Sequence, residues 1–212
     1  MSTSVYLLRL DFLTDRGVYE EMRERASLAR RLRADKYRLF EDRIRSLGAG
    51  LLLEYATGLS DEDMGYEPNG KPFFPAYLET AFSLSHSGMI AALAVSSRRC
   101  GIDVEEIRAE KESFRLITEK YFTEEERTRV YQHGFDPSAF SGIWTRKEAY
   151  VKMTGSGIMG LRKTGKAPCF FPVLEAPQGY ALSLCLEGEE TEEAALRFVT
   201  PEELRKETGC LQ

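Results

Sequence analysis

Hydrophobic and polar residues alternate in several short stretches of this chain, and other stretches repeat with helical spacing. Alternation places successive side chains on opposite faces of a strand. It predicts strands at residues 5–12, 82–88, 90–96, 100–105, 168–173, 180–186 and 194–199. Helical composition and an apolar spacing of about 3.6 residues predict helices at residues 17–33, 34–55, 113–121, 137–152 and 201–206. This order of elements favours the α+β class.

The two halves of the chain present these elements in a similar order, with helices first and strands after them. We therefore expect two similar α+β subdomains, an N-terminal one at residues 1–103 and a C-terminal one at residues 104–212. The strand at 100–105 then lies near their junction. No repeat is visible residue by residue, so the prediction depends on element order alone.

Composition narrows the class of protein. The 212 residues are 42% hydrophobic and 30% charged, with a net charge of −5, which is typical of a globular protein and disfavours general nucleic-acid binding. The four cysteines form no C-x-x-C pair, so we expect free thiols in a reducing cytoplasm. No apolar run is long enough to span a membrane, and no signal peptide is visible at the start. Positive charge is concentrated at residues 23–45, which suggests an anionic ligand.

Two acidic side chains share one face of the strand at 100–105. Asp103 and Glu105 are two residues apart, so they project together, while Ile102 and Val104 face the other side. Two carboxylates on one face repel each other and need a cation. About 45 residues further on, Trp144, Glu148 and Lys152 repeat every four residues along a helix. Three carboxylates without histidine suit Mg²⁺ or Mn²⁺, whose open positions take phosphates.

Each of these patterns has an ordinary structural interpretation when it stands alone. A D-x-E strand is usually a solvated edge or part of a salt bridge, and a metal site in about one case in ten. A helix with the pattern W-x-x-K-E-x-x-x-K is more often a charged face with a tryptophan in the core. The two patterns in this order and at this separation are far more specific.

Together, the segments G-I-D-V-E and W-T-R-K-E-A-Y-V-K resemble the signature pair of the 4′-phosphopantetheinyl transferases. The match is to the longer, surfactin-type branch and covers roughly residues 33–158. The resemblance implies an α+β fold with its two subdomains in a pseudo-twofold arrangement. It also implies transfer of 4′-phosphopantetheine from coenzyme A to a serine of an apo acyl or peptidyl carrier protein. The reaction would require Mg²⁺, with Mn²⁺ as a substitute, and would release adenosine 3′,5′-bisphosphate.

The resemblance also assigns site residues. It implies that Asp103, Glu105 and Glu148 hold the metal, and that Glu148 and Lys152 are catalytic. Glu148, or a water on the metal near it, would take the proton of the carrier serine. The residues expected to bind coenzyme A are Arg33, Lys36, Arg45, Lys71, Ser85, His86, Asp103, Lys147 and Lys152. Glu126 matches a glutamate that lies near the metal site in some members.

Two other functions stay open at this point. One is a different Mg²⁺-dependent nucleotide or pyrophosphate enzyme, which would lack a basic pocket for the 3′-phosphate. The other is a non-catalytic module that binds coenzyme A or a carrier protein, in which an acidic ligand or Lys152 would be expected to be missing. We expect a monomer that binds neither nucleic acid nor membrane.

Overall fold

The chain, described here by a computed structural model at residues 3–163, 167–189 and 193–207, folds into a mixed arrangement of helices and sheets. The strands are β1 Thr3–Arg9, β2 Gly65–Tyr66, β3 Pro72–Phe73, β4 Ala81–Ser87, β5 Ile90–Ser96, β6 Cys100–Glu106, β7 Cys169–Phe170, β8 Tyr180–Glu187 and β9 Ala194–Val199. The helices are α1 Arg16–Arg25, α2 Leu28–Asp35, α3 Phe40–Thr57, α4 Glu112–Tyr121, α5 Glu124–Tyr131, α6 Pro137–Thr154 and α7 Pro201–Glu207. The α+β prediction is confirmed at this level.

Two sheets organise these elements. The first has the order β4-β5-β1-β9, in which β9 is parallel to β1 and the other pairs are antiparallel. The second has the order β6-β8-β7 and is antiparallel throughout. Helix α3 packs on the first sheet and α6 on the second. The boundary expected between residues 103 and 104 falls inside β6, and β9 joins the sheet of the N-terminal half.

The predicted helices at 17–33 and 34–55 are wrong in their boundaries. The first is broken after Arg25, because Ser27 caps α2 by accepting the backbone N–H of Arg30 at 3.3 Å. The second starts only at Phe40, since Leu39 before it is extended. With these two breaks, α2 and α3 line one cleft together, α2 with Arg30 and Arg33 and α3 with Ser46.

The predicted strands are closer to the observed ones. Strands at 90–96 and 194–199 are confirmed, whereas the predicted strand at 168–173 is reduced to Cys169–Phe170. The first strand stops at Arg9 because a 3₁₀ turn follows at Asp11–Thr14. Ile102 and Val104 are fully buried, as their alternation with the acidic residues predicts. Among the described residues, no helix combines the length and the apolar character that a membrane span needs.

Candidate active site

The site begins with an unusually close approach between β6 and α6. Gly101 shares a strand face with Asp103 and Glu105, and the backbone of α6 lies directly on it. A Cβ at Gly101 would come within 2.0 Å of the carbonyl oxygen of Ala149 and 2.4 Å of the amide nitrogen of Met153. Glycine is therefore required for this packing. The close approach brings the side chains of α6 over the acidic face of β6.

Asp103 is the buried centre of the resulting cluster. Its Oδ1 atom accepts hydrogen bonds from Lys152 Nζ at 2.7 Å and from Ser85 Oγ at 2.8 Å. Its Oδ2 atom is buried and has no hydrogen-bond partner. Glu105, two residues on, accepts a hydrogen bond from Ser87 Oγ at 2.7 Å. One buried carboxylate oxygen is thus left unsatisfied in a cluster of like charges.

Burial and mutual repulsion act on the other two carboxylates. Burial raises the pKa of Glu148, and the charges of Asp103 and Glu105 raise it further. Burial also raises the pKa of Glu105, with a smaller contribution from Asp103. Only Lys152 opposes this effect at both groups. The carboxylates therefore lie close enough to repel one another, as the strand and helix periodicities predict.

The donor chemistry of this cluster fits a hard divalent cation. It offers carboxylate oxygens without sulfur or imidazole, and the unpartnered Oδ2 of Asp103 is a free ligand atom. Within the described parts of the chain, however, no three His, Cys, Asp or Glu side chains lie close enough to enclose an ion as they stand. The residues supply the ligand atoms without forming a finished cage.

A ladder of serines fastens β4 to β6 across the gap between the two sheets. Ser83, Ser85 and Ser87 alternate along β4 and face β6. Their hydroxyls accept backbone N–H groups of Ile102 at 3.0 Å, Val104 at 3.3 Å and Glu106 at 3.2 Å, in that order. Because Ser85 and Ser87 also donate to the acidic pair, the ladder fixes the orientation of both carboxylates.

The acidic cluster forms one end of a cleft with a volume of about 380 Å³. Asp103, Glu105 and Lys152 line this end. The other end is basic and polar, and its lining includes Arg30, Arg33, Ser46 and His86. A single cavity therefore joins an acidic end to a basic end.

Arg30 and Ser46 belong to the site but were not predicted from the sequence. Arg30 is 3% exposed, and its Nε donates to Asp61 Oδ2 at 2.6 Å. Its Nη1 donates to the carbonyl oxygen of Ser46 at 3.0 Å. Its Nη2 atom and the hydroxyl of Ser46 are buried without a hydrogen-bond partner. Gly50 makes room for this guanidinium, since a Cβ there would lie 2.2 Å from Arg30 Nε.

The sequence contains a signal that could have identified both residues. Arg30 lies three residues before the predicted Arg33, and Ser46 lies four before Gly50, so each pair shares a helix face. A serine and a glycine on the inner face of a helix rich in leucine leave space for a large side chain from a neighbouring element.

Arg33 and His86 complete the basic end. Arg33 lies beside Asp61, with its Nη1 3.1 Å from Asp61 Oδ1, and its Nη2 donates to the hydroxyl of Tyr66. His86 stands at the mouth of the cleft, where more than a third of its surface is exposed. The protein around its ring nonetheless lowers the pKa of His86 through desolvation, and the charge of Lys152 adds to this effect. A neutral imidazole at pH 7 can still donate one hydrogen bond.

Two of the predicted coenzyme A ligands lie outside this cleft. Lys36 is exposed at the C-terminal end of α2. Arg45 pairs with Asp42 and donates to the carbonyl oxygen of Gly88 at 3.4 Å, so it supports the turn that follows His86. Neither residue lines the cavity, although both lie on the elements that form its basic end.

Lys147 and Lys71 also point elsewhere. Lys147 is buried and pairs with Glu126 Oε2 at 2.9 Å, in a second cavity between α4, α5 and α6. Glu126 also forms a capping box with Thr123 at the start of α5. Lys71 Nζ donates to two backbone carbonyl oxygens, those of Cys100 and Lys152. In their observed positions, both ammonium groups are bound to other parts of the protein.

Comparisons with known proteins agree on one family. Residues 99–193 match the family described as the 4′-phosphopantetheinyl transferase superfamily. The 4′-phosphopantetheinyl transferase psf-1 of Bacillus pumilus is 30% identical over 198 residues, which cover 84% of this chain and 84% of that protein.

Other relatives carry the same description. The 4′-phosphopantetheinyl transferase Sfp of Bacillus subtilis (strain 168) is 26% identical over 81% of this chain and 88% of its own length. The 4′-phosphopantetheinyl transferase HetI of Nostoc sp. is 30% identical over 77% of this chain and 73% of its own length. These alignments extend well beyond the two short motifs.

Proposed function

Because the chain belongs to the 4′-phosphopantetheinyl transferase family, we propose that its cleft binds coenzyme A and presents the β-phosphate to a serine of an apo acyl or peptidyl carrier protein. The chain is accordingly an enzyme that modifies carrier proteins with 4′-phosphopantetheine. The observation that most supports this use of the cleft is its two-ended lining, with carboxylates at one end and arginines at the other. Coenzyme A has two separate phosphate groups, a pyrophosphate and a 3′-phosphate, and therefore needs two separate sites.

The basic end is the proposed site of the 3′-phosphate. Arg30 Nη2 and the Ser46 hydroxyl are buried donors without partners, and a phosphate oxygen would satisfy both. Arg33 and His86 line the same end and can add further donors. Hydrogen bonds between charged groups and phosphate are the stronger kind. Lys36 and Arg45 stay predictions as further ligands, since both lie next to this end rather than in it.

The acidic end is the proposed site of Mg²⁺, for which Mn²⁺ could substitute. Asp103, Glu105 and Glu148 would hold the ion, and Oδ2 of Asp103 is the ligand atom already free to do so. When bound, the ion would neutralise charge on the pyrophosphate and polarise it. The chain's own contribution is to hold the three carboxylates in place through the serine ladder and the packing of α6 on Gly101.

Lys152 lies beside the acidic end and is the proposed cation for the reacting phosphate. Its ammonium group is 2.7 Å from Asp103 Oδ1 and also lines the cleft. The serine hydroxyl attacks the β-phosphorus, the bond to the α-phosphate oxygen breaks, and adenosine 3′,5′-bisphosphate leaves. Lys152 stabilises the negative charge that grows on this leaving group.

Glu148 is the proposed acceptor of the serine proton. Without the ion, burial and the neighbouring carboxylates raise the pKa of Glu148. An ion bound to Glu148 would lower its basicity, so a water on the metal beside Glu148 is the second candidate for this role. Glu148 lies on the same helix face as Lys152, four residues earlier, and its charge interacts with those of Asp103, Glu105 and Lys152. One helix thus provides both the base and the cation, which keeps the two groups in a fixed relation.

We also propose that the two halves are related by a pseudo-twofold arrangement. Each half places one helix of 18 residues on a sheet, α3 on the first and α6 on the second. Both helices end at a glycine with positive φ, Gly58 and Gly155, and a 3₁₀ turn follows each. On this proposal residues 1–103 and 104–212 are the two subdomains, and β9 crosses over to complete the first sheet.

One experiment tests the function directly. The protein is incubated with coenzyme A, Mg²⁺ and a panel of apo carrier proteins, and each carrier is weighed by mass spectrometry. We expect a gain of one phosphopantetheine group, no gain with excess chelator, and recovery when Mg²⁺ or Mn²⁺ is restored.

Two controls separate the alternative functions. In the first control, without a carrier, a nucleotide hydrolase would still release adenosine 3′,5′-bisphosphate. A binding module would bind coenzyme A but would not release adenosine 3′,5′-bisphosphate under any of these conditions. Dephospho-coenzyme A, which lacks the 3′-phosphate, should bind more weakly than coenzyme A. Equal affinities would show that the basic end does not bind that phosphate.

A further inference from the structure

A short turn from the N-terminal half makes hydrogen bonds to the C-terminal end of α6, the helix that bears Glu148 and Lys152. This turn, residues 67–71, connects β2 to β3. Lys71 at its end sends its ammonium group to the carbonyl oxygens of Cys100, at 2.9 Å, and Lys152, at 2.5 Å. One side chain therefore joins the start of β6 to the last turn of α6. We call residues 67–71 together with Arg99 the Lys71 clasp.

The other members of the Lys71 clasp hold the lysine and the same helix end. Glu67 receives two hydrogen bonds from Arg99, at 2.8 and 3.0 Å, and Arg99 Nε is 3.4 Å from the carbonyl oxygen of Met153. Asn69 accepts the backbone N–H of Lys71 at 3.0 Å and donates to Glu67 Oε2 at 3.1 Å. The turn is therefore braced from within before it reaches the helix.

The position of the contact explains why a cation is suited to it. The last four carbonyls of a helix have no partner inside the helix, and they form its negative end. Lys71 and Arg99 donate to two of these carbonyls, those of Lys152 and Met153. The cap residue Gly155 also packs tightly against the Lys71 clasp, since a Cβ there would lie 2.4 Å from Asn69 Nδ2.

We propose that Lys71 is a positioning residue for the transfer reaction. By fixing the carbonyl of Lys152 against β6, it keeps the ammonium group of Lys152 at Asp103 and at the reacting phosphate. This inference rests on the catalytic role proposed for Lys152. It differs from the expectation that Lys71 itself binds the nucleotide, because its ammonium group already donates to two protein carbonyls.

The two roles predict different kinetics. Lys71→Met keeps the length of the side chain and removes its donors. Loss of positioning should lower kcat by about tenfold to a hundredfold, because small misplacements of reacting groups are costly. The KM for coenzyme A should change by less than about threefold, because the basic end is untouched. The matched control is Lys206→Met on the exposed face of α7, which should leave both constants unchanged.

A double variant shows whether Lys71 acts through Lys152. If it does, Lys71→Met combined with Lys152→Met should lose little more activity than Lys152→Met alone. Independent, multiplying losses would overturn the proposal, and so would an increase in KM without a fall in kcat. Near wild-type kcat in Lys152→Met would instead refute the role of Lys152 in the proposed function.

A readout without catalysis completes the test. Amide hydrogen exchange of the segment around residues 152–157 should speed up in Lys71→Met and stay unchanged in Lys206→Met. Lys71→Arg should restore part of the protection and part of kcat. If Lys71→Met does not fold, Asn69→Ala, which loosens the turn without removing a buried charge, should give the same effects on a smaller scale. Unchanged exchange together with unchanged kcat would refute the proposal.

Discussion

The two ends of the cleft differ in the sign of their charge and in how far protein groups of opposite charge balance it. At the basic end, the buried Arg30 is matched by the equally buried Asp61, and Arg33 shares the same carboxylate. At the acidic end, Asp103, Glu105 and Glu148 share Lys152 as their nearby cation. At the basic end one carboxylate therefore offsets one of two arginines, whereas at the acidic end three carboxylates share one lysine. Each end keeps an excess of charge opposite in sign to the group that it is proposed to bind, and this excess is larger at the acidic end.

The two ends also differ in how the chain assembles them. Arg30, Arg33, Ser46 and Asp61 come from one stretch of α2, α3 and the 3₁₀ turn Asp61–Asp63. The acidic end instead depends on a strand and a helix that meet at Gly101, and its Asp103 and Glu148 lie about 45 residues apart in the sequence. Most of the basic end therefore comes from a shorter span of the chain, whereas the acidic end requires the packing of α6 on β6.

Removing the central carboxylate should produce the largest effect. Asp103→Asn keeps the shape of the side chain and removes its charge. We expect kcat to fall by about a thousandfold, because a bound metal contributes several kcal/mol to transition-state stabilisation. Asp11→Asn at an exposed position is the matched control and should retain full activity. The comparison fails if Asp103→Asn transfers phosphopantetheine at a rate near that of the control.

Breaking the neutralised pair should mainly reduce stability. Arg30→Met leaves Asp61 buried without its main partner, which costs about 3–5 kcal/mol of unfolding free energy. Chemical denaturation measures this loss, and Arg9→Met at an exposed site is the control.

A second change sharpens the result at the same pair. Arg30→Met combined with Asp61→Leu should regain part of the stability, because neither charge is then left buried alone. Affinity for coenzyme A should stay low in the double variant. Full recovery of affinity would show that Arg30 serves the fold and not the 3′-phosphate.

Arg33 should have a smaller effect, limited to binding. Its side chain is 41% exposed, so Arg33→Gln should change stability little. Losing one charge-assisted hydrogen bond to phosphate should weaken coenzyme A binding by roughly tenfold. Binding of dephospho-coenzyme A, measured by the same calorimetric titration, should be unaffected. An equal loss for both ligands would place Arg33 away from the 3′-phosphate.

The smallest expected effect concerns pH and the acidic end. The folded protein raises the pKa of Glu148 above its ordinary value of 4.5, mainly through burial. The folded state then holds this proton more tightly than the unfolded chain does. The free energy of unfolding therefore falls as the pH rises from the pKa of Glu148 in the unfolded chain to its higher pKa in the folded protein. Glu148→Gln should remove the destabilisation that ionised Glu148 causes and should raise the Tm at neutral pH by roughly 2 °C. Melting curves in chelator, from pH 7 down to about pH 4, should show the two proteins converge.

Added Mg²⁺ provides the internal control for this measurement. It should stabilise the wild-type protein more than Glu148→Gln, because binding to the folded state alone raises its stability. A Tm advantage of the variant that is constant at all pH values would show that ionisation of Glu148 is not its cause.

The sequence predicted the acidic end well because that end follows from short-range rules. Alternation put Asp103 and Glu105 on one face of a strand, and a four-residue spacing put Glu148 and Lys152 on one face of a helix. The predicted helix start at Pro137 is also a local signal and is confirmed. The helix runs two residues beyond the predicted end and is capped by Gly155.

The basic end was harder to predict because its key facts depend on burial. Arg30 stands in a run of arginines, and only the space left by Ser46 and Gly50 on the neighbouring helix indicates that one of them is buried. Its partner Asp61 lies 31 residues away in an acidic turn. Lys71 illustrates the same limit, since its two carbonyl partners, on β6 and α6, come from distant parts of the chain.

The pairing of β9 with β1 also has a consequence for how the chain is made. β1 is synthesised before its parallel partner β9, which follows almost 200 residues later. Until then the first sheet has an uncovered edge, which is where nascent chains pair wrongly with one another. The N-terminal half can therefore collapse early around α3, but its sheet is completed only after residues 194–199 have been synthesised. Translation that stops before Ala194 would release a chain that is missing this last strand.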